Sequence, residues 1–214
     1  MSSRSRVTLK LLESNRQIEK KIYEALAKET NKKIKRNKDR VKAQFFAFVE
    51  TWIRSSKELQ SLSSSASPNT LNANFGIPIG RAAGIAEDVV RAVLSSYSIE
   101  IKPIDSKLKG SIVFNFQESS FSNLLSLTSG RVKTELGVEL HWMDWLLLKG
   151  DTTIVYGYDY MPSRRGRSKG GTMGAGQAWR VPPQFSGTAE NNFITRAFEN
   201  RDKEITEVLK GLFT

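Results

Sequence analysis

The 214 residues include no cysteine, which removes disulfides, thiolate nucleophiles and every cysteine-bound metal site. The absence fits a reducing compartment. Histidine is nearly missing too: His141 stands alone. Catalytic zinc usually draws on two or three histidines, so no metal site is expected. No apolar run approaches the roughly 20 residues of a membrane span. No apolar stretch follows the basic start Met1-Ser2-Ser3-Arg4-Ser5-Arg6, so neither a membrane segment nor a secretion signal is expected. No serine sits in a Gly-x-Ser-x-Gly elbow, which leaves a hydrolase triad without support. The Gly-x-x-x-x-Gly-Lys-Ser/Thr phosphate loop is missing as well; Lys169-Gly170-Gly171-Thr172 has the residue types in another order. No zinc finger, RNP aromatic pattern or helix-turn-helix is evident. With no catalytic constellation, an enzyme is not expected and no cofactor is implied.

Acidic residues are the remaining shortage, and it is local. Lys and Arg exceed Asp and Glu by eleven over the whole chain. Residues 1–60 hold 16 basic and 7 acidic residues, whereas the other 154 hold 17 and 15. The basic character thus belongs to the N-terminal segment and suggests a polyanion or an acidic protein surface as its neighbour. A solvated helix face is the plain alternative.

Residues 8–62 contain neither proline nor glycine and read as helix. Leu11, Leu12, Ile18, Ile22, Ala25 and Leu26 follow helical spacing, and Val41, Phe45, Phe48, Val49, Trp52 and Ile53 resume it. Between these stripes lie Lys32, Lys33, Lys35, Arg36, Lys38 and Arg40. The segment is one long helix or two with a break near Thr30–Asn31. The second stripe is the stronger and is expected to pack on the strands that follow. Residues 61–76 are rich in Ser and Asn and read as a linker. The organisation expected is a basic helical segment, 1–62, and a core domain, 63–214.

A second helix is expected over 78–96, with Pro78 in its first turn. Residues 98–104 and 110–117 alternate apolar and polar side chains and read as a hairpin. Residues 132–140 read as a third extended stretch and 142–149 as a short helix ending at Gly150. Residues 152–161 have strand composition. Residues 162–178 read as a mobile loop, and a last helix is expected from an N-cap at Thr188, with Glu190 in its first turn. The class expected is α+β: long N-terminal helices, a central antiparallel β-meander and a C-terminal helix.

Two features invite a chemical reading. His141 can act as an acid or base with Asp144 or Asp151 orienting it, although its aromatic surroundings favour a structural boundary residue. Residues 162–178 and their flank carry Arg164, Arg165, Arg167, Lys169 and Arg180 with no acidic residue between them. A cationic loop of this kind can order itself against a partner subunit or against DNA. Without a recognition module, contact with DNA would run through phosphates and ignore sequence.

The C-terminal third carries a family likeness. Its elements are the block from Trp142 to Asp151, the aromatic strand 154–160, the Gly/Arg loop, Trp179-Arg180-Val181-Pro182-Pro183, and the close Phe193-Ile194-Thr195-Arg196-Ala197. This arrangement resembles the neck and tail-completion (head–tail joining) proteins of tailed bacteriophages. The resemblance implies a virion protein made in the host cytoplasm, forming a ring, commonly sixfold, between the head connector and the tail tube. Neck, connector and tail-tube proteins would be its partners, passing DNA a non-specific one, and no reaction would be catalysed. The alternative class is a sequence-independent nucleic-acid-binding protein that uses the basic N-terminal helix.

Overall fold

The computed structural model describes residues 12–64, 70–77, 79–115, 121–133, 137, 139–161 and 171–214. The fold is α+β. Helix α1 (Asn15–Arg54) runs unbroken for 40 residues, about 60 Å at 1.5 Å per residue. The Ser14 N–H donates to Gln17 Oε1 at 2.9 Å and secures its first turn. Of the two arrangements the sequence allows, one long helix holds, with no break near Thr30–Asn31. Thr30 Oγ1 donates to the Leu26 carbonyl at 2.8 Å. Asn31 clasps the backbone of Ile104, giving to its carbonyl and accepting from its N–H, each at 2.8 Å. Asn31, engaged across the chain, does not compete with the helix for its own backbone, and the Thr30 bond to the preceding turn is one a helix accommodates. The interruption comes later, at Ser55–Ser56, after which Ser56 caps α2 (Lys57–Ser63).

Helix α3 (Leu71–Asn74) and helix α4 (Ile79–Ser96) follow, so α4 agrees with its sequence pattern. Strands β1 (Ser98–Lys102) and β2 (Ser111–Asn115) pair antiparallel, Ile99 opposite Phe114 and Ile101 opposite Ile112. Asp105 closes the intervening loop by accepting from the N–H groups of Lys107 and Lys109 at 2.8 and 2.9 Å. Those bonds hold its carboxyl below the usual range. Helix α5 (Ser122–Leu125) and a 3₁₀ turn at Thr128–Gly130 precede β3 (Arg131–Lys133), which pairs with β4 (Glu139–His141). Helix α6 (Met143–Leu147), strands β5 (Val155–Met161) and β6 (Thr172–Trp179), and helices α7 (Phe193–Phe198) and α8 (Asp202–Lys210) complete the chain.

The strands do not form one meander. Among the described residues they make three separate two-stranded sheets. Helix α5 with the 3₁₀ turn separates the first pair from the second, and α6 separates the second from the third, so each pairing stays local.

The loop expected over 162–178 is corrected over its second part, where residues 172–178 belong to β6. The glycines there serve packing rather than freedom. A Cβ on Gly176 would stand 2.2 Å from Asp159 Oδ2, one on Gly174 2.5 Å from Met161 Sδ, and one on Gly171 2.5 Å from the Tyr160 ring. These glycines make room for the side chains of β5. Asp159 fills a break in register between Tyr156 and Tyr158, accepting from the N–H groups of Gln177 and Ala178. Residues 162–170, with Arg164, Arg165, Arg167 and Lys169, lie outside the described residues.

The last helix is also corrected. Thr188 closes a turn with Asn191 instead of capping a helix, so Glu190 lies ahead of the helix. Asn192 is the cap: its buried Oδ1 accepts from Ile194 and Thr195. Asn200, with φ of 61°, then divides α7 from α8.

One core runs through α1, α2, α4, α6 and α7, so it crosses residue 62. Phe45 of α1 stacks on Tyr97 and Phe114, each at 5.2 Å, and meets Trp52 edge-on. The expected contact between α1 and the strands is therefore made by Phe45. Trp52 turns instead to Phe198, with Arg201 over its ring, and Phe48 is 40% exposed. Glu58, 2% exposed at its side chain, pairs with Arg196 at 2.7 Å and ties α2 to α7. Gly187 lies where a Cβ would stand 2.0 Å from the Leu146 carbonyl oxygen.

Candidate functional site

The cationic residues of α1 keep to its outer side because the inner side is committed to the core. Ile34, Asn37, Val41 and Phe45 are buried at helical spacing. Lys32, Lys33, Lys35, Arg36, Lys38 and Arg40 are all exposed. Lys32, Lys35 and Arg36 share one side of the helix. Among the described residues none of Lys32, Lys33, Lys35, Arg36 and Lys38 has an ion-pair or hydrogen-bond partner. Arg40 differs. Its Nη2 donates to the Gly211 carbonyl at 3.0 Å, and Asn37 Nδ2 reaches the Leu212 carbonyl at 3.3 Å. Together they satisfy carbonyls left open at the end of α8. Arg40 thus has a place in the fold, and the other five form a cationic band free to meet an anion.

Arg180 is exposed at the end of β6 and has no partner among the described residues. The structure does not bring it together with the α1 band.

His141 and Asp144 do come together. Nδ1 of His141 lies 2.7 Å from Asp144 Oδ1, and Lys149 Nζ lies 2.8 Å from the other carboxylate oxygen. Burial pushes the Asp144 carboxyl upward, but the Lys149 and His141 hydrogen bonds outweigh it and hold the group below its ordinary 3.8. Lys149 also sits 4.4 Å from the centre of the Trp145 ring. Nε2 of His141 is sealed from solvent with no partner among the described residues. A general base must reach a substrate proton. With Nε2 enclosed, the arrangement serves to lock the β4–α6 junction. Asp151, the other orienting candidate, is exposed and takes no part.

Three features were not visible in the sequence. The first twelve residues of α1, 15–26, include no buried side chain. Ile22 is 51% and Leu26 49% exposed, with Tyr23 beside them. Their apolar spacing signals a covered face, and the only hint to the contrary is charge balance, since residues 13–29 hold four basic and four acidic side chains. The second feature is a groove of about 410 Å³ between α4 and residues 128–132, with Arg81, Gly84, Ile85 and Asp88 along its helical wall. The third is the outer face of β5, where Tyr156 is 79% exposed and Tyr158 stands near it, paired across the sheet with Ala178 and Ala175.

Among the described residues no cluster of His, Asp and Glu could hold a metal ion, and no helix is long and apolar enough to cross a membrane. In comparisons with known proteins, no family model, curated protein or solved structure matches the chain.

Proposed function

We propose that the chain is a non-enzymatic structural subunit that assembles into a ring in the neck of a tailed-phage virion, joining head to tail. The observation that carries the reading is the outer end of α1: twelve helical residues with an apolar stripe that no described residue buries. This end is helical by propagation from the buried part of α1, and its exposed apolar stripe is suited to be covered by a neighbour. The likeness over residues 140–214 names the kind of neighbour, and the cationic band of α1 suits a lumen through which DNA passes without being read. The residues behind the likeness have work in the fold: Phe193, Ile194 and Ala197 are buried, and Arg196 neutralises Glu58.

Negative-stain electron microscopy with mass measurement on the purified protein tests the proposal. Closed rings, formed alone or on addition of neck partners, are expected. A particle that stays monomeric up to high concentration and with those partners overturns it.

The second reading is duplex binding by the α1 band, favoured by its five unpartnered cations. Exchange of Lys32, Lys35 and Arg36 for Gln would then lower the slope of log affinity against log salt by about 3, one unit for each phosphate contact. If the protein shows no duplex binding at physiological salt, that reading fails.

A further inference from the structure

Resting on the ring reading, we infer that the outer end of α1 from one copy seats in the groove between α4 and residues 128–132 of a second copy. Both surfaces lack an occupant among the described residues, and they match in three respects. The first is polarity. Ile18, Ile22 and Leu26 form one stripe at four-residue spacing, and the groove is lined by half-buried Val132 with the core residues Ile77 and Ile85 at its floor. The second is shape. Gly84 lies on the helical wall, and a Cβ placed there meets nothing within 4 Å. An incoming helix can therefore approach closely at that point. The wall from Arg81 to Asp88 is about 10 Å long and the stripe from Ile18 to Leu26 about 12 Å, at 1.5 Å per residue.

The third respect is charge. The groove carries Arg81, Arg131 and Asp88; Arg131 pairs with Glu139 at 3.5 Å, and the other two, opposite in sign, have no ion-pair partners among the described residues. The helix end is likewise mixed, with Lys20 and Lys21 near Glu19 and Glu24. A neutral, mixed surface is a poor ligand for DNA and a fit partner for another mixed protein surface. This separates the outer end of α1 from the cationic band further along the same helix. The two contacting surfaces are different, so the contact is head-to-tail, the kind that closes into rings when the rotation permits.

Because the chain has no cysteine, single introduced thiols report the contact directly. Ile22→Cys and Gly84→Cys full-length variants are prepared separately, mixed and mildly oxidised. The expected result is a disulfide-linked dimer in the mixture and none in either variant alone. Lys20→Cys, on the opposite side of the helix, should link to Gly84→Cys at least tenfold less. A dimer of equal yield from Ile22→Cys alone means that the helix pairs with itself, and overturns the inference. So does a mixture that stays unlinked while microscopy shows rings; the ring reading then survives and the contact lies elsewhere. Absence of both rings and cross-links removes both. Gly84→Leu gives an independent check, because its Cβ meets nothing within 4 Å while its side chain occupies the groove. Its melting temperature should stay level or rise, while assembly weakens at least tenfold. Wild-type assembly by this variant overturns the inference.

Discussion

The two parts of α1 are built from similar residues and do opposite things. Residues 27–54 press Ile34, Val41, Phe45, Val49, Trp52 and Ile53 into the core and hold their charge outward. Residues 15–26 repeat the apolar spacing but bury nothing. In charge they also differ: residues 32–42 hold seven basic side chains against Asp39 alone, whereas residues 13–29 are neutral. Helical periodicity therefore reports a face that wants covering, and the cover need not come from the same chain.

The largest expected effect sharpens that contrast. Phe45→Ala should cost about 3–5 kcal/mol, because it vacates a fully buried site between Tyr97, Phe114 and Trp52. Ile22→Ala should change monomer stability by less than about 0.5 kcal/mol. Chemical denaturation of both variants measures the difference. Similar losses would mean that the outer end of α1 is buried in the monomer, and the contrast would collapse.

Arg196→Ala comes next. It strands the Glu58 carboxylate in the interior, at a cost of about 3 kcal/mol. The exposed Lys20–Glu24 pair on the outer end of α1 should be worth less than about 0.5 kcal/mol. Parallel denaturation of Arg196→Ala and Lys20→Ala checks the ranking. A small effect at Arg196 would show that water reaches Glu58.

Acid brings a smaller effect, at the β4–α6 junction. Asp144 has a lowered pKa in the fold, so its ionised form stabilises the protein at pH above its ordinary value of 3.8. That contribution fades as pH falls through the lower folded value. Thermal melts of the wild type and Asp144→Asn from about pH 6 to pH 2 should converge in acid. A gap that stays constant would mean that the carboxylate's charge plays no part.

The smallest effect expected is at the cationic band. Lys35→Gln should leave the melting temperature within error, since Lys35 has no partner among the described residues. A marked drop would show that the band is part of the fold.

The elements legible in sequence were those whose cause is local. Helix α4 and the β1–β2 hairpin follow from periodicity and from a closing loop that contains Asp105. The continuity of α1 was not legible, because Asn31 is satisfied by Ile104, 73 residues away. Strand β6 was hidden for a related reason. Gly171, Gly174 and Gly176 look like a loop until the side chains of Tyr160, Met161 and Asp159 are placed across from them. The cap at Asn192 is hidden in the sequence because Thr188 resembles a cap, and only its turn with Asn191 shows otherwise. At the candidate site the cationic band could be read from composition. The bond that ties Arg40 to Gly211, and the lack of cover on residues 15–26, depend on distant parts of the chain.

The β5–β6 hairpin also constrains how the sequence can drift. Asp159, Tyr160 and Met161 of β5 crowd Gly176, Gly171 and Gly174 respectively, where even one added carbon collides. Neither member of such a pair can change freely. Gly176→Ala becomes tolerable once Asp159 shrinks, yet that same loss strips the acceptor from the N–H groups of Gln177 and Ala178. Exchange in this hairpin must therefore proceed by paired replacements, with large and small swapping sides of the ladder. Double-mutant cycles across it should show strong coupling even where each single change lies far from any partner surface.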